Sequence, residues 1–146
     1  NEAFNCLKFR TMILNNEADS KQATKDDDRI TRLGKFLRKS SLDEIPQFFN
    51  VLLGDMSVIG PRPHPLKLNE QFSSTIDRLM SRHYVKPGIT GLAQCMGYRG
   101  ETKNIHDMRN RIKLDRFYIE NWSFFLDIKI MVQTVVSLLR GNENAY

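Results

Sequence analysis

Residues 40–54 read SSLDEIPQFFNVLLG. From Asp43 to Leu53 the apolar side chains Ile45, Phe48, Phe49, Leu52 and Leu53 recur at i, i+3, i+4, i+7 and i+8, the spacing of one helical face. Gly54 stands where a helix accepts a left-handed C-terminal residue. The N-terminus permits two registers. Ser41 with Glu44 fits a capping box, but Pro46 then falls deep in the helix. A start at Asp43 puts Pro46 in the first turn, where its missing N–H costs little. In both registers Asp43 and Glu44 stand at a helix N-terminus, where free N–H groups and the helix dipole favour anions and a phosphate can dock. Adjacent helical side chains point about 100° apart, so the pair suits two separate jobs, one facing a phosphorus and one facing a metal.

Downstream, Gly60-Pro61-Arg62-Pro63-His64-Pro65 excludes regular structure, since its prolines fix an extended path. An arginine between two prolines is either a surface residue in a rigid turn or a planar fork presented to a phosphate or base edge. Upstream, residues 7–14 alternate with a period of two, with Leu7, Phe9 and Ile13 on one face, and predict a strand that carries Lys8 and Arg10. Residues 15–27 read as an exposed loop. Residues 28–39 predict a helix with Ile30, Leu33 and Leu37 on one stripe. Arg29, Arg32, Lys35, Arg38 and Lys39 cover the rest, as a solvated basic face or one lying on anionic headgroups.

Further elements follow. Residues 67–82 predict a helix with Leu68, Phe72, Ile76, Leu79 and Met80 inward. The turn signals in 84–98 predict short strands joined by a tight turn. Residues 104–121 predict a long charged helix that carries Arg111. Residues 124–139 predict a very apolar helix, too polar to span a bilayer. Its length and charges favour a core position over one shared with a membrane surface or partner.

The chain has 146 residues, enough for a single domain with a hydrophobic core over 1–146. Lys and Arg exceed Asp and Glu by 22 to 17, an excess that suits an anionic partner: nucleotide, phospholipid headgroup or nucleic acid. Cys6 and Cys95 fit no metal-ligand spacing and read as reduced thiols of a cytosolic compartment. His64, His83 and His106 form no zinc motif. Phosphoryl transfer needs positive charge around the transferred group, which Lys8, Arg10 and Arg111 could supply if the fold gathers them.

Taken together, these stretches resemble the bacterial sugar transferase family, the monotopic phosphoglycosyl transferases. The matching residues are Lys8-Phe9-Arg10-Thr11-Met12, Ser41-Leu42-Asp43-Glu44-Ile45-Pro46-Gln47, Gly54-Asp55-Met56-Ser57, Ile59-Gly60-Pro61-Arg62-Pro63 and Lys86-Pro87-Gly88-Ile89-Thr90-Gly91. Arg111, Asp115, Tyr118, Asn121-Trp122-Ser123 and Asp127 complete them. Arg99-Gly100-Glu101-Thr102 and Asn144-Ala145-Tyr146 are most similar to the branch with undecaprenyl-phosphate glucose phosphotransferases.

The resemblance implies a small, mostly helical α+β domain packed around a short β-hairpin, with its site facing the membrane. It implies transfer of hexose 1-phosphate from a UDP-sugar to polyprenyl (undecaprenyl) phosphate, with release of UMP. That reaction would start exopolysaccharide, capsule or O-antigen-type glycans at the cytoplasmic face of the bacterial inner membrane. Asp43 is then the nucleophile that forms a phosphosugar-aspartyl intermediate, and Glu44 ligates Mg²⁺. Arg62 goes with the nucleotide, and Lys8 and Arg111 lie near the phosphates. Family members carry membrane segments upstream, so the chain is expected to be a piece of a longer protein. Two other classes stand beside this reading. A nucleic-acid-binding module would interleave aromatic with basic residues, and here the aromatics keep to apparent core positions. A non-catalytic membrane-surface scaffold would have no need of an intact Asp43 and Glu44.

Overall fold

The computed structural model describes residues 3–14, 23–24, 27–73, 76, 79–98, 100 and 104–140. Most of the loop expected over 15–27, and most of the 99–102 and 144–146 stretches, lie outside the described residues. The elements run α1 (Arg32–Ser40), a 3₁₀ turn (Leu42–Glu44), α2 (Gln47–Leu53), β1 (Ser57–Ile59) and α3 (Leu66–Ser73). A second 3₁₀ turn (Leu79–Tyr84), β2 (Gly88–Thr90), α4 (Leu92–Cys95), α5 (Ile105–Glu120) and α6 (Phe124–Arg140) follow. The α+β class expected from the resemblance is observed, mostly helical around a small sheet.

That sheet is not a hairpin. β1 and β2 pair in parallel, with Ser57 opposite Gly88 and Ile59 opposite Thr90, and α3 lies in the connection that a parallel pair requires. The glycines that read as turn signals are sites of close backbone approach. A Cβ on Gly88 would fall 2.1 Å from the Gly60 nitrogen, and one on Gly91 would fall 2.1 Å from the Gly60 oxygen. After Gly91 the chain enters α4, so no second hairpin strand forms.

The segment expected as a strand over 7–14 is extended but makes one bridge, Met12 to Ile30 in antiparallel sense. Elsewhere single bonds tie its backbone, among them Phe9 N–H to the Asp43 carbonyl at 3.0 Å and Leu7 N–H to Asn50 Oδ1 at 2.9 Å. α1 starts at Arg32 because the Thr31 hydroxyl accepts from the Gly34 N–H at 2.9 Å. The helix predicted over 67–82 divides into α3 and the second 3₁₀ turn, with Leu68, Phe72, Ile76 and Leu79 inward as expected and Met80 exposed. In a 3₁₀ turn residues three apart share a face, so Arg82 turns inward behind Leu79.

α5 is the spine. Met108 and Ile112 close one apolar cluster with Ile76 and Leu79, while Tyr118 closes another with Ile59 and Ile130. α6 departs from its expected core position. It buries Ile130 and half-buries Leu126, but Phe125, Val132, Val135 and Leu139 lie on an exposed apolar stripe. No helix among the described residues is long and apolar enough to cross a membrane.

Candidate active site

The helix predicted from Asp43 is broken in two. Ser41, at φ 59°, is the described non-glycine residue with positive φ, a costly conformation for a side-chain-bearing residue. It ends α1 and turns the chain into the 3₁₀ turn that holds Asp43 and Glu44, and Pro46 precedes α2. The capping box does not form: Ser41 makes no side-chain cap bond, because its left-handed backbone is not the extended one an N-cap uses. Both acidic side chains are buried.

Two cations converge on Glu44 Oε1: Lys8 Nζ at 3.1 Å and Arg62 Nη2 at 2.5 Å. They come from opposite sides of the sequence. Asn50 tethers the Lys8 segment, accepting from Leu7 N–H and donating to the Asn5 carbonyl at 2.9 Å. Arg62 is delivered by the rigid loop after β1, which is pinned to β2 by the Gly88 N–H on the Pro61 carbonyl at 2.9 Å. Burial opposes the Arg62 charge, yet the Glu44 carboxylate more than offsets it and the pKa is raised. Lys8 is lowered, by burial first and by Arg62 next, against the pull of Glu44.

Behind Arg62 lies a second charged layer. Arg82 Nη2 lies 2.8 Å from the Asp115 carboxylate and donates to the Arg62 carbonyl at 2.6 Å. Arg111 donates to the Gly100 carbonyl at 3.0 Å, and its pKa falls to about 10 through burial and then through Arg62 and Arg82. Burial raises Asp115 to about 6 against the lowering effect of those arginines, so it is ionised at neutral pH. Such buried charge is costly unless paired, and it concentrates at functional sites.

The fold therefore gathers Asp43, Glu44, Lys8 and Arg62, with Arg111 within electrostatic range of Arg62. Arg10 is exposed and enters none of these bonds. Arg38, read from the sequence as one of a basic stripe, feels the Asp43 charge and donates from Nε to Thr11 Oγ1 at 2.8 Å. Arg82 had no sequence signal of its own. Asp115 had one: with Met108, Ile112 and Tyr118 it falls on the inner stripe of α5, where a lone carboxylate needs a partner. Among the described residues no three His, Cys, Asp or Glu side chains cluster as a cation cage. The donor set is one or two carboxylates, which is how Mg²⁺ is held beside substrate phosphates.

The family model described as bacterial sugar transferase matches residues 1–141. The chain belongs to the bacterial sugar transferase family. This sugar transferase chain is 57% identical over 142 residues to a UDP-glucose:undecaprenyl-phosphate glucose-1-phosphate transferase of Klebsiella pneumoniae, covering 95% of this chain and 30% of that protein. A protein of the same name from Caulobacter vibrioides is 47% identical over 144 residues, covering 98% and 54%. A UDP-N-acetylgalactosamine-undecaprenyl-phosphate N-acetylgalactosaminephosphotransferase of Aeromonas hydrophila is 45% identical over 142 residues, covering 97% and 33%. The sugar transferase chain thus spans from about a third to about half the length of these relatives. Every element described above falls within the matched residues.

Proposed function

We propose that the chain is the catalytic part of an enzyme that moves a hexose 1-phosphate from a UDP-sugar to a polyprenyl phosphate and releases UMP. The observation that carries this reading is the buried Asp43–Glu44 pair with Lys8 and Arg62 drawn onto Glu44. The names of the relatives, which pair UDP-sugars with undecaprenyl phosphate, support it.

In this reading an Asp43 oxygen attacks the β-phosphorus of the UDP-sugar. The bond from that phosphorus to the UMP oxygen breaks, and its electron pair leaves with UMP. A polyprenyl phosphate oxygen then attacks the same phosphorus and Asp43 is restored, so one displacement becomes two. Lys8, Arg62 and Arg111 balance the charge that develops on the phosphates, and Arg10 adds a cation from the same extended segment. Glu44 would hold Mg²⁺, which would supply charge neutralisation at the diphosphate.

The surface beside the pair suits a lipid acceptor. Phe9, whose N–H holds the Asp43 carbonyl, is exposed, as are Leu33 and Phe36 of α1 and Phe48, Phe49, Leu52 and Leu53 of α2. Lys35 and the Arg38–Lys39 end of α1 add basic charge. Apolar side chains with adjacent cations fit an anionic membrane surface, here the cytoplasmic leaflet of the bacterial inner membrane. Phe9, Phe36, Phe48 and Phe49 are exposed and not at the core positions expected from the sequence; Phe48 and Phe49 of α2 sit among aliphatic residues and not among basic ones, which favours lipid over nucleic acid.

The test is UMP release by the full-length protein with Mg²⁺, undecaprenyl phosphate and UDP-glucose, UDP-galactose or their N-acetylated relatives. One donor should release UMP, and labelled UMP should exchange into that donor without lipid. Turnover with lipid but no exchange would overturn the covalent route, and no turnover with any donor would overturn the reading.

A further inference from the structure

Arg82 is 2% exposed and takes no part in the chemistry above. Its guanidinium pairs with Asp115 at 2.8 Å, donates from Nη2 to the Arg62 carbonyl at 2.6 Å and donates from Nη1 to His64 Nδ1. Two of these three contacts land in the Gly60–Pro65 loop, one on each side of Pro63. The β2 backbone pins the loop at Gly60 and Pro61, and past Pro61 its prolines offer no N–H, so the Arg62 carbonyl and the His64 ring are where Arg82 adds its hold. Apolar side chains would fill the space of a buried ion pair at least as stably. What they could not do is hold the loop. A lysine could not do so either, since a single ammonium lacks the fork that reaches Asp115, His64 and the Arg62 carbonyl together.

We propose that Arg82 is a positioning residue for nucleotide-sugar binding, held by Asp115 and acting through the Arg62 carbonyl to fix the guanidinium that meets Glu44. The proposal rests on reading Arg62 as part of a UDP-sugar site. The reach of Arg62 is then set by α5, a helix that itself supplies no nucleophile.

The experiment has two arms on the full-length protein. The first needs no ligand: phenylglyoxal labelling of Arg62, followed by peptide mass spectrometry. Wild type is compared with Arg82→Lys and with Arg82→Met/Asp115→Leu, which removes both charges of the pair together and leaves Arg111 with the Gly100 carbonyl and the Asp107 charge. Both variants should label Arg62 several-fold faster. The second arm measures the Kd for UDP-glucose and UDP-N-acetylgalactosamine in the same proteins, with and without Arg62→Ala. The Arg82→Met/Asp115→Leu change should weaken binding roughly tenfold when Arg62 is present and less than about twofold when it is alanine, the non-additivity of residues acting in series. Equal losses in both backgrounds, or unchanged Arg62 labelling, would overturn the proposal. Wild type that binds neither donor would overturn the donor-site reading instead, and the labelling arm would still decide whether Arg82 holds Arg62.

Discussion

α2 and α5 are both amphipathic by their sequences, and the fold uses them in opposite senses. α5 turns Met108, Ile112 and Tyr118 inward and most of its charge to water. α2 turns its polar side in: Gln47 is 1% and Asn50 2% exposed, while Phe49 is 63% and Leu52 81% exposed. Periodicity reports that a helix has two faces and says nothing of which one meets water. The inner polar face of α2 is what the site needs, since Asn50 tethers the segment that brings Lys8 to Glu44. The outer apolar face is left for a partner, and an exposed apolar patch of that kind marks an interaction surface. α5 makes the complementary exception. Its apolar stripe includes Arg111 and Asp115, and these two form the layer behind Arg62.

The largest effect tests which helix leads into the chemistry. Asp43→Asn should cut turnover by more than roughly a thousandfold, the scale for lost covalent nucleophiles, with unfolding unchanged within a few degrees. The amide keeps the shape of the turn before α2. Near-normal UMP release by this variant would move the nucleophile elsewhere and remove the special status of the α2 side. Glu44→Gln should instead shift the Mg²⁺ titration of activity, and an unchanged titration would leave Glu44 only its ion pairs with Lys8 and Arg62.

The next effect sharpens the contrast in stability. Met108 of α5 is 0% exposed, so Met108→Ala should destabilise by about 2–5 kcal/mol through lost burial and the cavity left behind. Leu52→Ser on α2 should change stability by less than about 0.5 kcal/mol, since that side chain already faces outward. It should, however, lower binding to vesicles containing anionic lipid, and added salt should lower binding further by screening the basic charges of α1. If Leu52→Ser unfolds the protein as readily as Met108→Ala, the outward face of α2 is wrong. If it leaves vesicle binding unchanged, that face serves something other than lipid.

Much of this is legible in the sequence. The long charged helix predicted over 104–121 and the apolar one over 124–139 form at 105–120 and 124–140, and the inward set Leu68, Phe72, Ile76 and Leu79 holds across a helix break. Lys8, Glu44 and Arg62, each singled out in the sequence, are brought into contact by the fold. Three things were not legible, each for a physical reason. The glycines of 88–91 carry the same signal in a turn as in two backbones pressed together, so a hairpin was expected where a parallel pair formed. The sidedness of α2 and the outer stripe of α6 follow from which face each helix packs against the rest of the fold, and periodicity does not carry that. The Arg82–Asp115 pair joins two elements far apart in sequence, and only the three-residue repeat of the 3₁₀ turn brings Arg82 inside.

The smallest effect belongs to His64, which sits where the loop of Arg62 meets the charged layer backed by α5. Burial first, and the charges of Arg82, Arg111 and Arg62 after it, hold its pKa well below the ordinary value of about 6.5, against a small opposing bond from Asn69. The ring is neutral in the folded protein, and Nδ1 accepts from Arg82. The sign follows from proton counts. Below about pH 6.5 the unfolded chain binds a proton at this residue that the folded chain refuses, so acid favours unfolding. Stability from this group is complete above that pH and falls by about 1.4 kcal/mol per unit below it until the folded pKa is reached. Asp115 works the other way between about pH 4 and 6, since its folded pKa is raised to about 6, so the raw stability curve mixes the two. His64→Asn separates them. Asparagine can still accept from Arg82 but does not titrate, so the stability difference between wild type and variant should move toward the variant as the pH falls from 7 to 5. Urea unfolding at both pH values reads this directly. A difference that stays constant would mean that His64 takes up its proton in the folded protein as it does in the unfolded chain, and its contact with Arg82 could not then be the one described.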